Sequence, residues 1–207
     1  MAGFFTSRLF FISLAIVVIA ATLPLYVSGY VLGLLTVAYY FGVFAMAWDL
    51  LFGFAGEVNF GPTFLIGLGA YTAAILDNQF GPPIFVCVLA GAAVAVLGGL
   101  LLALPALRLS GPYFGLVTLV AVLLLQNAIV IFAHWTGGEI GMTVPDVLSI
   151  DGNVNYWYAL AFLVVCAIIL FGLSRSAIGL ILQASGQDAV EAQALGFNVT
   201  KHKIAAF

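Results

Sequence analysis

Charged side chains are scarce in this sequence: five Lys or Arg and eight Asp or Glu stand among 207 residues, 6% of the chain. Soluble domains typically carry about 25% charged residues, so the composition excludes an ordinary soluble protein. Hydrophobic residues instead make up 65% of the chain. The few basic residues are spread along the chain and form no patch, which argues against a nucleic-acid partner.

Cysteine and histidine are also scarce. Cys87 and Cys166 lie inside apolar runs, where they read as small core residues and form no disulfide framework. His134 and His202 are far apart in the sequence, and no His/Cys cluster has the spacing of a metal site. We therefore expect neither a disulfide-stabilised fold nor a bound metal.

Nucleotide-binding and catalytic signatures are missing as well. A Walker A loop needs G-x-x-x-x-G-K-[ST], but Lys201 and Lys203 are the only lysines and neither follows a glycine. The sequence contains no H-E-x-x-H and no G-x-S-G segment. These absences favour transport over catalysis, so we expect no enzymatic activity and no cofactor bound by this chain.

What the sequence does contain is a series of long charge-free runs. Each can hold one or two helices of the roughly 20 apolar residues that cross a bilayer, and a segment in lipid must satisfy its own backbone hydrogen bonds. We predict an all-α polytopic bundle, one transmembrane domain over residues 1–207. Its six predicted spans are Leu9–Val27, Tyr30–Leu51, Phe60–Leu76, Pro83–Leu104, Pro112–Ala133 and Tyr156–Leu173.

The placement of the charges predicts the orientation, because cytoplasmic loops carry the excess of Lys and Arg. With six crossings, one side of the bilayer holds Arg8, Arg108, Arg175, Lys201 and Lys203, and the other holds Asp77, Glu139, Asp146 and Asp151. The N-terminus is therefore predicted to be cytoplasmic. The first apolar run exceeds the roughly 7–15 residues of a signal-peptide core, so we predict a retained first span.

The segment GFAGEVNFGP, Gly53–Pro62, interrupts the apolar pattern and is called the break below. Three glycines and a proline in ten residues do not form an uninterrupted helix. Asn59 is predicted to cap the next helix, with Pro62 in its first turn, and Asp49 to lie near the inner membrane surface. Two interpretations have equal weight: a plain inner loop, or a broken segment whose polar groups, such as Glu57, line a cavity for a polar solute.

Two predicted spans carry residues that favour contacts between helices. Gly91, Ala95 and Gly99 follow one another at four-residue steps and form a small-residue stripe that lets another backbone approach closely. Gln126 and Asn127 lie inside the fifth span, where polar side chains usually face protein or water. We predict helix packing for the stripe. For the two amides we favour hydrogen bonds between helices, with a solute contact as the alternative.

The last part of the chain, residues 174–207, is predicted to lie on the inner side. Ser185 and Asp188 resemble a capping box, and Gly196 suits a helix C-cap position. These signals predict a short helix near Gln187–Leu195. That helix is either an amphipathic connector or a docking helix for a cytoplasmic partner.

Several stretches together resemble the LivM-type permease subunits of branched-chain amino-acid ABC importers. They are GFAGEVNFG (53–61), GLGAY (67–71), LPALRLSGPYF (104–114) with Thr118 and Leu119, TGGEIGM (136–142) and EAQALGFNVTKHKIAAF (191–207). Their order and spacing are specific together. The resemblance covers nearly the whole chain after the first span.

The resemblance implies that residues 174–207 are a cytoplasmic coupling segment with an EAA-like loop, whose short helix docks in a groove of an ATPase subunit. The implied coupling residues are Asp188, Glu191, Ala192 and Gly196. Ala192 and Gly196 match the family's alanine and glycine positions, whereas Glu191 stands where a second small residue is usual. A translocation path is expected to include Glu57, Asn59, Thr63, Tyr71, Gln126 and Asn127.

The implied function is translocation of branched-chain or other small amino acids across the bacterial inner membrane by alternating access. The implied partners are ABC ATPase subunits that bind the ATP, a second permease subunit, an extracytoplasmic solute-binding protein and membrane lipid. One alternative is an ATP-independent facilitator or channel for a small polar solute such as urea. Another is a non-functional fragment, because relatives continue past the EAA loop with further spans and this chain stops at Phe207.

Overall fold

The computed structural model describes residues 8–107, 109, 111–144 and 148–207. Arg108 and Asp146, which contribute to the charge pattern, lie outside the described residues, as does the side chain of Arg8. Over the described ranges the chain forms helices and connecting turns and contains no strand, which confirms the all-α class.

The helices follow the apolar runs of the sequence. In chain order they are α1 (Arg8–Thr22), α2 (Gly29–Asp49), α3 (Pro62–Phe80), α4 (Ile84–Ala106), α5 (Pro112–Ile131), α6 (Ala133–Thr136), α7 (Gly152–Ser174), α8 (Ala177–Gln187), α9 (Ala189–Ala194) and α10 (Val199–Ala206). A 3-10 turn, Leu23–Leu25, follows α1, and a π-helical turn, Leu50–Phe54, continues α2. Proline and glycine set several of these limits, since Pro62 and Pro112 open their helices without losing a helical N–H bond.

Each predicted span has a helix at its position. Within the described ranges, four helical stretches are long and apolar enough to cross a membrane: Gly29–Phe54, Ile84–Ala106, Pro112–Ile131 and Gly152–Ser174. The apolar helix Phe10–Leu25 is shorter, and the last turn of α3 carries Asp77, Asn78 and Gln79. The chain is thus a multi-pass membrane protein, while the count of six spans and the cytoplasmic N-terminus stay predictions.

The chain forms two compact units. Among the described residues, unit one comprises residues 8–46 and 148–171, and unit two comprises residues 47–144 and 172–207. The core of unit one is formed by Leu32 from α2 and by Tyr156 and Leu160 from α7. Residues of α1 and the turn after it pack against this cluster, so unit one buries apolar surface from three helices.

Pro24 leaves a carbonyl of unit one without its usual donor. In an α-helix the carbonyl of Ala20 accepts from the amide four residues on, but proline has no N–H. The hydroxyl of Tyr156 donates to that carbonyl oxygen at 2.7 Å and also lies 2.7 Å from the hydroxyl of Tyr39. α7 therefore supplies a side-chain donor where proline ends the helical hydrogen bonding of α1.

In unit two, α3 and α4 pack along small residues. A Cβ added to Gly91 would lie 2.5 Å from the carbonyl oxygen of Gly69, closer than real Cβ atoms come. A Cβ on Gly69 would lie 3.6 Å from that of Ala95, and one on Gly99 would lie 3.4 Å from a methyl of Leu65. The stripe of small residues on α4 therefore lies against α3, and glycine at position 91 lets the two backbones meet.

Candidate functional site

The break is the least regular part of unit two. α2 ends in the π-helical turn Leu50–Phe54, a geometry that frequently occurs at functional sites. Residues 55–61 form no regular helix, and Gly56 has a φ of 69°. Helical structure resumes at Pro62. The helix is interrupted where the sequence predicted, and the interruption exposes backbone groups that need other partners.

Asn59 is buried and organises the break. Its side-chain Oδ1 accepts the N–H of Gly61 at 2.7 Å, and its backbone carbonyl accepts from Trp48 Nε1 at 2.5 Å. The N-cap of α3 is Gly61, so the predicted capping role of Asn59 is wrong. The physical reason is a local turn: the Asn59 amide oxygen is already occupied by the nearby Gly61 N–H, as short polar side chains often are.

α5 supports the break from one side. Thr118 is fully buried; its hydroxyl accepts the N–H of Phe60 at 3.1 Å and donates to the carbonyl of Gly115 at 2.9 Å. A Cβ on Gly115 would lie 3.1 Å from the carbonyl oxygen of Val58. The irregular backbone therefore lies directly on α5, and a threonine satisfies one of its free N–H groups.

An ion pair joins the break to α10. Lys203 Nζ donates to Glu57 Oε1 at 2.6 Å, and the two side chains are only 11% and 12% exposed. Charges screened so little by water attract strongly, but either charge is costly to bury alone. The structure therefore places the carboxylate of Glu57, a predicted path residue, against a lysine from residues 174–207.

Two further contacts hold the same segment. A Cβ on Gly186 of α8 would overlap the carbonyl oxygen of Phe54, so the two backbones touch. The ring of Phe207 lies 3.1 Å from the Cβ position of Gly61 and meets the ring of Phe114 edge to face, with centres 6.3 Å apart. The helices before and after α9, namely α8 and α10, thus both contact the break near their C-terminal ends, and Phe207 also contacts α5.

α9 is the short helix that was predicted near Gln187–Leu195. Asp188 is its N-cap: Oδ1 accepts the N–H of Val190 at 2.8 Å and that of Glu191 at 3.0 Å. Gly196 follows the C-cap with a φ of 90°, in the left-handed region that favours glycine. The helix therefore begins and ends at specific sequence signals.

Ser185 does not form the predicted capping box. α8 continues to Gln187, so Ser185 lies inside a helix, where it is buried and donates to the carbonyl of Leu182 at 2.7 Å. The cap is supplied by Asp188 alone. The prediction failed because two helices meet at Asp188, and the capping pattern does not reveal that the first helix extends so far.

α9 exposes apolar side chains. Ala192 is buried at 2% exposure, whereas Val190 and Leu195 are 76% and 77% exposed. Glu191 is exposed as well. The predicted coupling residues Glu191 and Ala192 thus lie on this helix, and Asp188 and Gly196 lie at its two ends.

The predicted path residues of α3 are dispersed. Thr63 is exposed and Tyr71 is half-buried, and both lie on α3 rather than in the break. Glu57 and Asn59 are the two predicted path residues that the break holds. Their groups contact protein, the Glu57 carboxylate Lys203 and the Asn59 amide oxygen its own turn.

The two amides of α5 are also exposed. Asn127 donates from Nδ2 to the carbonyl of Leu123 in its own helix at 2.8 Å, and Gln126 is exposed beside it. The favoured interpretation, hydrogen bonding between helices, is therefore not what this asparagine does in unit two. Inside a helix, an amide side chain can donate to the carbonyl four residues earlier in the chain. The sequence does not reveal whether it does so or bonds to another helix.

The other end of α5 is closed by the glycine-rich turn TGGEIGM. Gly137, Gly138 and Gly141 have φ of 73°, 58° and 78°, and the hydroxyl of Thr136 donates to the carbonyl of Ile129 at 2.6 Å. A cavity of about 310 Å³ lies beside the turn, with Asn78, Gln79, His134, Trp135 and Thr143 among its lining. In the described ranges no three His, Cys, Asp or Glu side chains are grouped to hold a metal ion.

Comparison with known proteins decides the family. Residues 30–207 match the model of the family described as branched-chain amino acid transport system / permease component. The chain belongs to this family. The resemblance that the sequence motifs indicated is therefore confirmed.

Two curated relatives match most of the chain. The high-affinity branched-chain amino acid transport system permease protein LivM of Salmonella typhimurium strain LT2 is 25% identical over 94% of this chain and 52% of its own length. The protein of the same description from Escherichia coli K12 is 24% identical over 93% of this chain and 52% of its own length. This chain thus spans about half the length of these relatives. No solved structure matches it.

Sequence reasoning missed three residues that build the site: Lys203, Trp48 and Thr118. Lys203 was counted only as one of the inner-side charges. The signal in the sequence is the four-residue spacing of Val199 and Lys203, which places the lysine on the same helix face as an apolar residue. The structure shows that both are buried. For Trp48 and Thr118 no comparable signal exists, since their partners are backbone groups of the break.

Proposed function

We propose that this chain is a permease subunit of an ABC importer in the bacterial inner membrane, and that it moves branched-chain or other small amino acids. Membership of the permease family supports this proposal, as does the similarity to the two LivM permeases. In the proposal ATP is bound and hydrolysed by partner ATPase subunits, and this chain holds no cofactor and catalyses no reaction. A second permease subunit and an extracytoplasmic solute-binding protein complete the importer within the lipid bilayer.

The observation that carries the proposal is the setting of α9. This helix coincides with the EAA-like stretch and leaves Val190 and Leu195 largely uncovered, as expected of a surface that an ATPase groove covers. The helices before and after it contact the break through Gly186 and Lys203. A partner that binds α9 would therefore act on the irregular segment between α2 and α3.

The test is uptake of radiolabelled L-leucine by membrane vesicles of the native host, with and without ATP. Replacement of Glu191 and Gly196 is expected to lower ATP-driven uptake while the protein still inserts, because both residues lie on or beside α9. Thr200, which is exposed on α10, provides the matched control as Thr200→Ala. Unchanged ATP-driven uptake in the altered protein would exclude the coupling role. Uptake that is indifferent to ATP in the wild type would favour the facilitator.

A further inference from the structure

We propose that Glu57 and Lys203 are a positioning pair that transmits the movement of α9 to the break, and that Glu57 serves coupling and is not a solute ligand. The inference rests on the proposed function and deepens it, since it assigns a route between the partner-binding helix and the membrane segment. Four observations, all within unit two, carry it.

The first observation is that α9 is tied to both neighbouring helices by short turns. Asp188 is at once the C-cap of α8 and the N-cap of α9. After α9, the N–H of Phe197 donates back to the carbonyl of Ala192 at 3.2 Å, and Asn198 Oδ1 caps α10 by accepting the N–H of Lys201 at 3.0 Å. With no flexible linker between the three helices, a displacement of α9 moves α8 and α10 with it.

The second observation is that α8 and α10 contact the break at two separate points. Gly186 lies against the backbone of Phe54, before Gly56, and Lys203 binds Glu57, after it. Gly56 is the residue of the break with a positive φ, a conformation that glycine adopts without strain. A movement of the two helices therefore acts on both sides of the residue where the backbone turns.

The third observation is the chemistry of the pair. Removing one partner of a buried ion pair is strongly destabilising, because the other charge then stays buried without compensation. The pair therefore opposes a separation of α10 from the break. A ligand or partner shifts a conformational equilibrium only through contacts that differ between the two states. In the proposal the pair is such a contact, because a small separation of α10 from the break would abolish it.

The fourth observation concerns the solute. Glu57 Oε1 lies 2.6 Å from Lys203 Nζ, and both side chains are nearly buried. A solute amino group that took the place of Lys203 on Oε1 would leave a buried ammonium group unpaired, which is strongly unfavourable. The lysine thus already neutralises the Glu57 carboxylate, which favours a role in coupling over binding of a solute cation.

The experiment uses the complete importer, purified from its native host with this subunit at its natural length, in proteoliposomes with L-leucine as the solute. Glu57→Gln and Lys203→Met each break the pair, and the double variant Glu57→Lys/Lys203→Glu restores it with the charges exchanged. Lys203→Arg keeps the charge. Lys201→Met removes an exposed lysine from the same helix and is the matched control.

The readouts are leucine transported per ATP hydrolysed and the leucine concentration at half-maximal uptake. The single variants are expected to lower transport per ATP by about fivefold or more, the lower end of typical coupling between sites, at unchanged half-saturation. The exchanged pair and Lys203→Arg recover most of the loss, and Lys201→Met behaves as wild type. A variant series with wild-type transport per ATP overturns the inference, as does a selective rise in the half-saturating concentration, which marks a solute ligand.

If the single variants do not accumulate in the membrane, the exchanged pair decides alone. An exchanged pair that accumulates and keeps most of the wild-type transport per ATP supports the inference. One that accumulates but transports about fivefold less per ATP contradicts it. The proposed function has its own failure: a wild-type importer that moves no leucine at the expense of ATP. In that case both the proposed function and the role of the pair are rejected. If the wild-type importer transports leucine normally and the variants do the same, only the role of the pair is rejected.

Discussion

The hydroxyl of Tyr156 occupies the place of a missing backbone donor. Proline at position 24 cannot donate to the carbonyl of Ala20, and in an apolar environment an unpaired carbonyl costs free energy. The side chain of Tyr156 is fully buried and makes this bond. At the residue scale, therefore, an irregularity in α1 is balanced by a polar group on a helix more than a hundred positions later in the sequence.

Tyr156→Phe is expected to destabilise unit one by about 1–2 kcal/mol, between the average for membrane-protein hydrogen bonds and the cost of a stranded buried group. The loss leaves the Ala20 carbonyl and the Tyr39 hydroxyl without this partner. Unfolding by a denaturing detergent in mixed micelles, followed by tryptophan fluorescence, measures the change. Tyr158→Phe, on the exposed side of α7, is the control, and equal stability of the two variants would contradict the role of the hydroxyl.

At the scale of secondary-structure elements, the succession α8, α9, α10 depends on capping more than on propensity. A helix of six residues, such as α9, is too short to be stable by itself in water. It is fixed by the carboxylate of Asp188 at its start, by Gly196 at its end and by the burial of Ala192. These three positions therefore fix where α9 begins, where it ends and which of its faces is buried.

Asp188→Ala is expected to destabilise α9 by about 0.5–2 kcal/mol, because two N–H groups lose their acceptor. Asp188→Asn keeps a capping oxygen and is expected to cost less. Hydrogen exchange at the amides of Val190 and Glu191 reports the change directly, since these two groups donate to the cap. Exchange that is equally slow in Asp188→Ala and the wild type would show that the cap does not hold this helix.

At the scale of the whole molecule, the charge pattern agrees with the contacts of unit two: segments predicted on the same side of the membrane contact one another. The segments predicted on the inner side, namely the break, the start of α5 and residues 174–207, contact one another through Thr118, Gly186 and Lys203. The segments predicted on the outer side also meet: Asn78 donates to the carbonyl of Thr143 at 2.9 Å. The positive-inside rule assigns the first group to the cytoplasm.

This assignment predicts which sites a membrane-impermeant thiol reagent reaches. In a background without Cys87 and Cys166, Glu139→Cys is expected to react in intact spheroplasts, and Lys201→Cys only after the membrane is opened. Both positions are exposed in unit two, so the comparison tests orientation and not burial. Labelling of Lys201→Cys in intact spheroplasts would reverse the orientation of the chain.

The sequence by itself determined the class of the protein, its helices and its family. Apolar runs of bilayer length and scarce charges allow little besides a helical membrane protein. Glycine and proline in the break interrupt the helix at the positions where they stand, so the interruption could be predicted locally. Boundary signals such as Gly196 were readable for the same reason.

Only the tertiary structure decided which residues meet at the break. The partners of Glu57, Asn59 and Phe60 come from α10, α2 and α5, and contacts between distant segments leave no periodic trace in a single chain. The same holds for Asn127, whose choice of its own helix depends on what α5 packs against. The physical reason is that composition and periodicity indicate which segments form apolar helices. Which side chains meet depends on the positions of several helices at once.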